Sequence, residues 1–380
     1  MEVNQFNPSK LKQARIFRGL TISELAHSTN ITKQAISQYE QGKITPRIET
    51  MFKLVNKLNF PREFFYSYDT DTGFNSYTFF RSKVNVSKKR LNAQEQVVDF
   101  LFNGQQFLEH YIEFPKLNIP DVLIKDSWEK DDIEDLAQNV RNIWGIGDEP
   151  IHNLIFELER NGVFLSSILT DTHGVDAYSQ KKVINGQDYC FMLLGKDKKS
   201  AVRRQFDAAH ELGHLLMHSW IEKGTELEPD EKRRMEKEAD YFASALLLPR
   251  EAFISTIYKP KLEEYIHLKK YWMVSINAMI VRSYHLNLIN YTQYQYLQKQ
   301  LSRKKMRKFE PYDDVLQLSN PGMLKQAVAE LLADGTITPM QMAKELKMFP
   351  SLIEEVLNLD SGTLNVNTDN KNTLELKRKI

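Results

Sequence analysis

His210-Glu211-Leu212-Gly213-His214 brings two imidazoles and a carboxylate together within five residues. On a helix, residues four apart share a face and are separated by about 6 Å along the axis, so both rings can reach one tetrahedral Zn²⁺. Glu211, between them, is placed to act as general base toward a water at such an ion. Phe206, Ala209, Leu212, Leu216 and Met217 give the surrounding run helical apolar spacing, with no Pro to interrupt it.

A hydrolytic zinc needs a third protein donor and an open position. The next acidic helix, Glu236 to Pro249, carries an apolar stripe of Ala239, Phe242, Ala243, Leu246 and Leu247 that would lie against the first helix. Glu238 borders that stripe and can enter the interface, with Glu236 and Glu231 as competing donors. Asp240 suits an outer role, accepting the ring N–H of a ligating histidine and fixing its tautomer. His218 continues the four-residue spacing, but a straight helix sets it about 12 Å from His210, too far to share the ion. It reads as a helix-end residue.

The stretch Arg204 to His218, followed by Glu236-x-Glu238-Ala239-Asp240-x-Phe242-Ala243-x-x-Leu246-Leu247-Leu248-Pro249, resembles the ImmA/IrrE family of metallopeptidases. The resemblance implies a zincin-like domain with Zn²⁺ held by His210, His214 and Glu238, and with Glu211 as base. It is read as beginning near Asp132 and reaching about Leu286. Asp176-Ala177-Tyr178-Ser179 falls where family members place a short strand bordering the cleft. Tyr178 there is a candidate for substrate contact or oxyanion support, against simple packing.

The N-terminus has a different chemistry. Leu11, Ala14, Ile16 and Phe17 mark a helix ending at Gly19, and Thr21-Ile22-Ser23-Glu24 is a capping box that opens a second. Thr29-Asn30-Ile31 forms a turn, and Thr32 caps a third helix that Gly42 stops. Two short helices on so tight a turn make a helix-turn-helix unit, whose second helix enters the major groove of DNA. Ala35, Ile36 and Tyr39 supply its buried side. Thr32, Lys33, Gln34, Ser37, Gln38 and Lys43 are the candidate DNA-contacting residues. Residues 1–66 hold ten Lys/Arg against five Glu, whereas the whole chain sums to only +1, so the basic surplus belongs to this segment. Glu24, Glu40 and Ser37-Gln38-Tyr39-Glu40-Gln41-Gly42-Lys43-x-Thr45-Pro46 resemble the Xre/Cro-type repressor family, which implies a double-stranded DNA operator and a homodimer.

A length of 380 residues accommodates two or three cores, and 42% hydrophobic with 27% charged residues is the composition of a globular protein. The single Cys190 excludes an internal disulfide. The first residues lack the pattern of a signal peptide, and no apolar run approaches a membrane span; the expected location is the cytoplasm.

These readings give a mostly α fold with a small β-sheet (α+β). An all-α helix-turn-helix domain is expected at 1–68, and a linker with a connecting helix at 69–131. The zinc metallopeptidase domain is expected at 132–300, with strands near 162–165 and 188–194. A helical docking or sensing region at 301–360 and a disordered tail at 361–380 complete the chain. Residues 265–282 and 338–343 repeat the helix-turn-helix rhythm, and Arg303-Lys304-Lys305-x-Arg307-Lys308 is a basic cluster. The expected activity is zinc-dependent endopeptidase, active or latent, on a protein substrate: a repressor or the chain itself. The alternatives are a non-proteolytic metal-binding repressor and a toxin–antitoxin component.

Overall fold

In the computed structural model, which describes residues 5–67, 74–75, 79–82, 88–168, 175–196, 200–222 and 225–365, capping chemistry sets each N-terminal helix. Asn7 accepts from the Ser9 amide at 3.0 Å, and Pro8 opens α1 (Pro8–Phe17), where its missing N–H is no loss. At α2 (Ile22–Thr29) the capping box is reciprocal: Thr21 N donates to Glu24 at 2.6 Å, and Glu24 N to the Thr21 hydroxyl at 3.1 Å. Asn30, left-handed at φ 53°, turns the chain into α3 (Lys33–Glu40), capped by Thr32. The helix α4 (Ile48–Leu58) then closes the bundle over Leu11, Leu25, Ile36 and Leu54. Arg15 clamps α3 to α1 through a two-pronged bond to Glu40, at 2.6 and 2.8 Å.

The segment expected as a linker with a connecting helix contains that helix and two short strands. It supplies β1 (Phe74–Asn75), β2 (Phe79–Ser82) and α5 (Lys88–Glu109). After α6 (Lys130–Trp144) and α7 (Leu154–Arg160) come β3 (Val163–Ile168), β4 (Val175–Ile184) and β5 (Gln187–Gly195). The sheet order is β1-β4-β5-β3, with β2 also paired to β4; β3 runs parallel to β5 and the other pairings are antiparallel.

Both faces of this sheet are buried, in different cores. Successive strand residues point to opposite sides, so Cys190, Met192 and Leu194 enter one core while Tyr189, Phe191 and Leu193 enter the other. The first of these lies under α8 (Ala201–Met217) and α9 (Pro229–Leu247). It continues through α10 (Arg250–Thr256), α11 (Leu262–Trp272), α12 (Ile276–His285) and α13 (Tyr291–Arg303). The second holds α5, the N-terminal bundle and the C-terminal helices α14 (Met323–Ala333), α15 (Pro339–Leu346) and α16 (Pro350–Val356). Phe100 of α5 meets Phe17 and Phe60 of the bundle at 5.0 and 5.5 Å between ring centroids.

The helix-turn-helix rhythm at 265–282 becomes α11 and α12, buried behind α9. The turn-rich stretch 69–75 and the polar tail lie largely outside the described residues. Residues 361–365, assigned to the tail, are folded: Leu364 is buried and its N–H donates to Glu354 at 2.7 Å.

Gly213 lets α8 and α9 approach closely. A Cβ there would sit 3.1 Å from Phe242 Cδ1 and 3.3 Å from Ala239 Cα. Ala in place of Gly favours the helix by about 1 kcal/mol, close to the low end of overpacking costs, so Gly213→Ala should be near neutral. Gly213→Val should cost about 1–3 kcal/mol in denaturant unfolding, because Ala239 is backbone and cannot swing aside.

Candidate metal centre and DNA-facing helix

Helix α8 carries His210 and His214 on one face, with their Nε2 atoms 3.1 Å apart. Across from them, Glu236 of α9 places its carboxylate oxygens 3.4 Å from His210 Nε2 and 3.5 Å from His214 Nε2. Among the described residues, these three form the group with donor atoms within 4.8 Å of one another. Both imidazoles are buried, while Glu236 is half-exposed.

The carboxylate that faces both rings is therefore that of Glu236 and not that of Glu238, the residue expected from the sequence. At about 100° per residue, Glu236 and Asp240 stand on one edge of α9, and Glu238 lies across the Ala239–Phe242 stripe from them. Glu238 instead accepts from His218 Nε2 at 2.9 Å and from the Trp128 amide at 3.2 Å. Glu231 closes the capping box with Glu228 at the start of α9, away from the centre. His218 ends α8 as its C-cap, as its position in the sequence implies, but it is buried and touches His214.

The hydrogen bonds assign the ring tautomers. His210 Nδ1 donates to Asp240 at 2.9 Å, which leaves a lone pair on its Nε2. Burial lowers the His218 pKa, so the ring is neutral near pH 7, and its one N–H is used on Glu238. His218 Nδ1 then accepts from His214 Nδ1 at 3.0 Å, and His214 Nε2 also carries a lone pair. Burial also pushes His214 down to about 3, which keeps it neutral. For Glu236, burial works upward, but its contacts with His210 and His214 outweigh that and hold it well below the usual carboxylate range. Two lone pairs and an anionic carboxylate thus face one another, an arrangement that fits a divalent cation between them. Asp240 behind His210, and the His218–Glu238 pair behind His214, hold the two rings from outside.

Glu211 lies beside this group, fully buried, and accepts from the Ser179 hydroxyl at 2.7 Å. The sequence analysis missed Ser179. Strand alternation sets Ala177 and Ser179 on one face of β4 and Tyr178 on the other, and the fold turns the first face to α8. Tyr178 is packed in the α5 core and donates to the Gln94 carbonyl. A cavity of about 820 Å³ between α8, α9, α12 and α13 is lined by Glu238 and Asp240 but by none of His210, Glu211, His214 and Glu236.

At the other end of the chain, Thr32, Lys33, Gln34 and Lys43 are exposed, and Ser37 and Gln38 are half-buried. Ile36 and Tyr39 anchor α3 from behind. If Gln34 and Gln38 read bases, changing both to Ala should weaken specific operator binding by about 1–3 kcal/mol per lost base contact, with little change on random DNA. Changing Lys33 and Lys43 should weaken both and flatten the salt dependence by about one unit each, as read by titration across salt concentrations.

A helix-turn-helix bundle joined to an α+β domain with a histidine–carboxylate group defines the chain by two parts of different class. Residues 11–65 match the family model described as helix-turn-helix, and residues 170–284 match the peptidase family model described as the IrrE N-terminal-like domain. The chain is a fusion of these two domain types. The match begins at 170, later than the Asp132 expected from the sequence, although α6, α7 and β3 share the core of α8. The HTH-type transcriptional regulator SutR of Escherichia coli (strain K12) is 35% identical over 63 residues, covering 17% of this chain and 35% of that protein. No helix among the described residues is long and apolar enough to cross a membrane.

Proposed function

We propose that this chain is a DNA-binding transcriptional regulator whose second domain is a zinc-dependent endopeptidase. The ligands are His210, His214 and Glu236, with Asp240 orienting His210. The observation that carries this reading is the convergence of two imidazole lone pairs and a carboxylate beside the buried Glu211. Zinc held there supplies a Lewis acid for the scissile carbonyl and a lowered pKa for the attacking water. Glu211 would take the proton from that water and deliver it to the leaving amine, so that one water is consumed per peptide bond cut. Ser179 would keep the Glu211 carboxylate turned toward the ion.

The substrate is a protein, a helix-turn-helix repressor or the chain itself, and the α3 surface brings the enzyme to an operator as a homodimer. The near-complete burial of Glu211, His210 and His214 favours an enzyme that is latent until activated. The test is incubation of the purified chain with zinc and with proteins encoded beside it, followed by mass spectrometry. New termini that are absent from a Glu211→Gln chain support peptidase action. If both chains give the same termini, the reading falls to a metal-binding repressor or a toxin–antitoxin component.

A further inference from the structure

Strand β4 is the wall of the sheet nearest the candidate centre. Its Ser179 holds Glu211, and α8 lies across β4 and β5. On the side away from β5, β4 would be an open edge, and an open edge is a template for any extended backbone. A peptide presented to Glu211 needs its main chain fixed, and this edge is the ladder available for that.

The edge is already filled from within the chain. Phe74 and Asn75 pair with Val183 and Lys182, and β2 pairs antiparallel along the part nearest the centre: Phe79 with Ser179, Phe80 with Tyr178, Arg81 with Ala177. Cross-strand partners in such a ladder lie about 5 Å apart at Cα, so the backbone of β2 passes directly beside the residue that holds Glu211. Strand β2 also touches α8 itself. Beneath this, Glu211 is 0%, His210 1% and His214 2% exposed. The strand leads into α5, whose Phe100 is packed among Phe17, Phe60 and Phe64 of the DNA-binding bundle.

We propose that residues 79–82 are a resident inhibitory strand: they occupy the β4 edge on which an extended peptide substrate must lie, and the peptidase opens only when they leave. The inference rests on the peptidase reading for its consequence, but competition for the edge can be measured without hydrolysis. It also makes a separate protein, and not this segment, the substrate.

The probe is a fluorescein-labelled peptide with the sequence of residues 76–84, titrated by fluorescence polarisation into zinc-loaded full-length Glu211→Gln protein. Of two adjacent strand residues one N–H faces β4, so Phe80→Pro with Arg81→Pro removes that ladder donor from the resident strand whichever of the two carries it, and should tighten peptide binding at least tenfold. Arg81→Cys with Ala177→Cys places two thiols on partnered residues; oxidation should abolish binding, and a phosphine reductant should restore it. Cys190 is buried and does not compete for the new bond. Equal affinity in the parent, the proline variant and the oxidised variant overturns the proposal. So do new termini within 76–84 of an unmodified, Glu211-containing chain, because a strand that is cut is a substrate. Peptide that binds the opened chain but is never cut by its Glu211-containing form sinks the peptidase reading and leaves this one standing.

Discussion

Glu236→Ala should abolish tight zinc binding, with a loss well beyond the roughly 10–100-fold that follows removal of an outer hydrogen-bond partner. Glu236 is the carboxylate that faces both imidazole lone pairs, at 3.4 and 3.5 Å. Asp240→Ala should fall within that 10–100-fold range, because Asp240 acts on the ion only by holding His210 at 2.9 Å. Glu238→Ala should cost least of the three, since its influence passes through His218 before it reaches His214. Competition of each purified variant against a chromophoric chelator gives the order directly. If Glu238→Ala proves the most damaging and Glu236→Ala nearly silent, the ligand set drawn from the geometry is wrong.

Glu211→Gln should produce the opposite pattern: zinc affinity close to the parent and hydrolysis lower by about 10²–10⁴-fold. The amide keeps the shape of the side chain and can still meet the Ser179 hydroxyl, now 2.7 Å from the Glu211 carboxylate, but it cannot accept a proton from water. Single-turnover cleavage of a protein found to be a substrate, with metal content measured on the same samples, separates the two effects. Full activity with bound zinc in the variant would remove Glu211 from the chemistry. Loss of zinc together with activity would make it a structural neighbour of the ligands.

Much of this arrangement was legible in the residues. Spacing alone places His210, Glu211 and His214 on one helix, and capping chemistry at Thr21, Glu24 and Thr32 delimits the helices of the DNA-binding unit. The choice among Glu231, Glu236 and Glu238 was not legible, because periodicity fixes which residues share a face but not which edge of an apolar stripe meets the neighbouring helix. That is decided by where Gly213 lets α8 and α9 cross, a fact about two helices together. Ser179 was hidden for a similar reason: its face of β4 is settled by pairing with β5, in which Ser179 opposes Met192. Strands β1 and β2 are too short for alternation to announce them, and their partner is about a hundred residues away in the chain.

The two-sided burial of β5 makes the molecule hard to divide. Tyr189, Phe191 and Leu193 look toward the half with the helix-turn-helix bundle, and Cys190, Met192 and Leu194 toward the half with His210 and His214. A fragment beginning at residue 132 would keep its candidate ligand set and the cover of α14–α16, yet lose α5 and with it the Phe102 ring that covers Tyr189 and Phe191, inviting self-association. Removing the N-terminal half therefore costs the other half part of its own core.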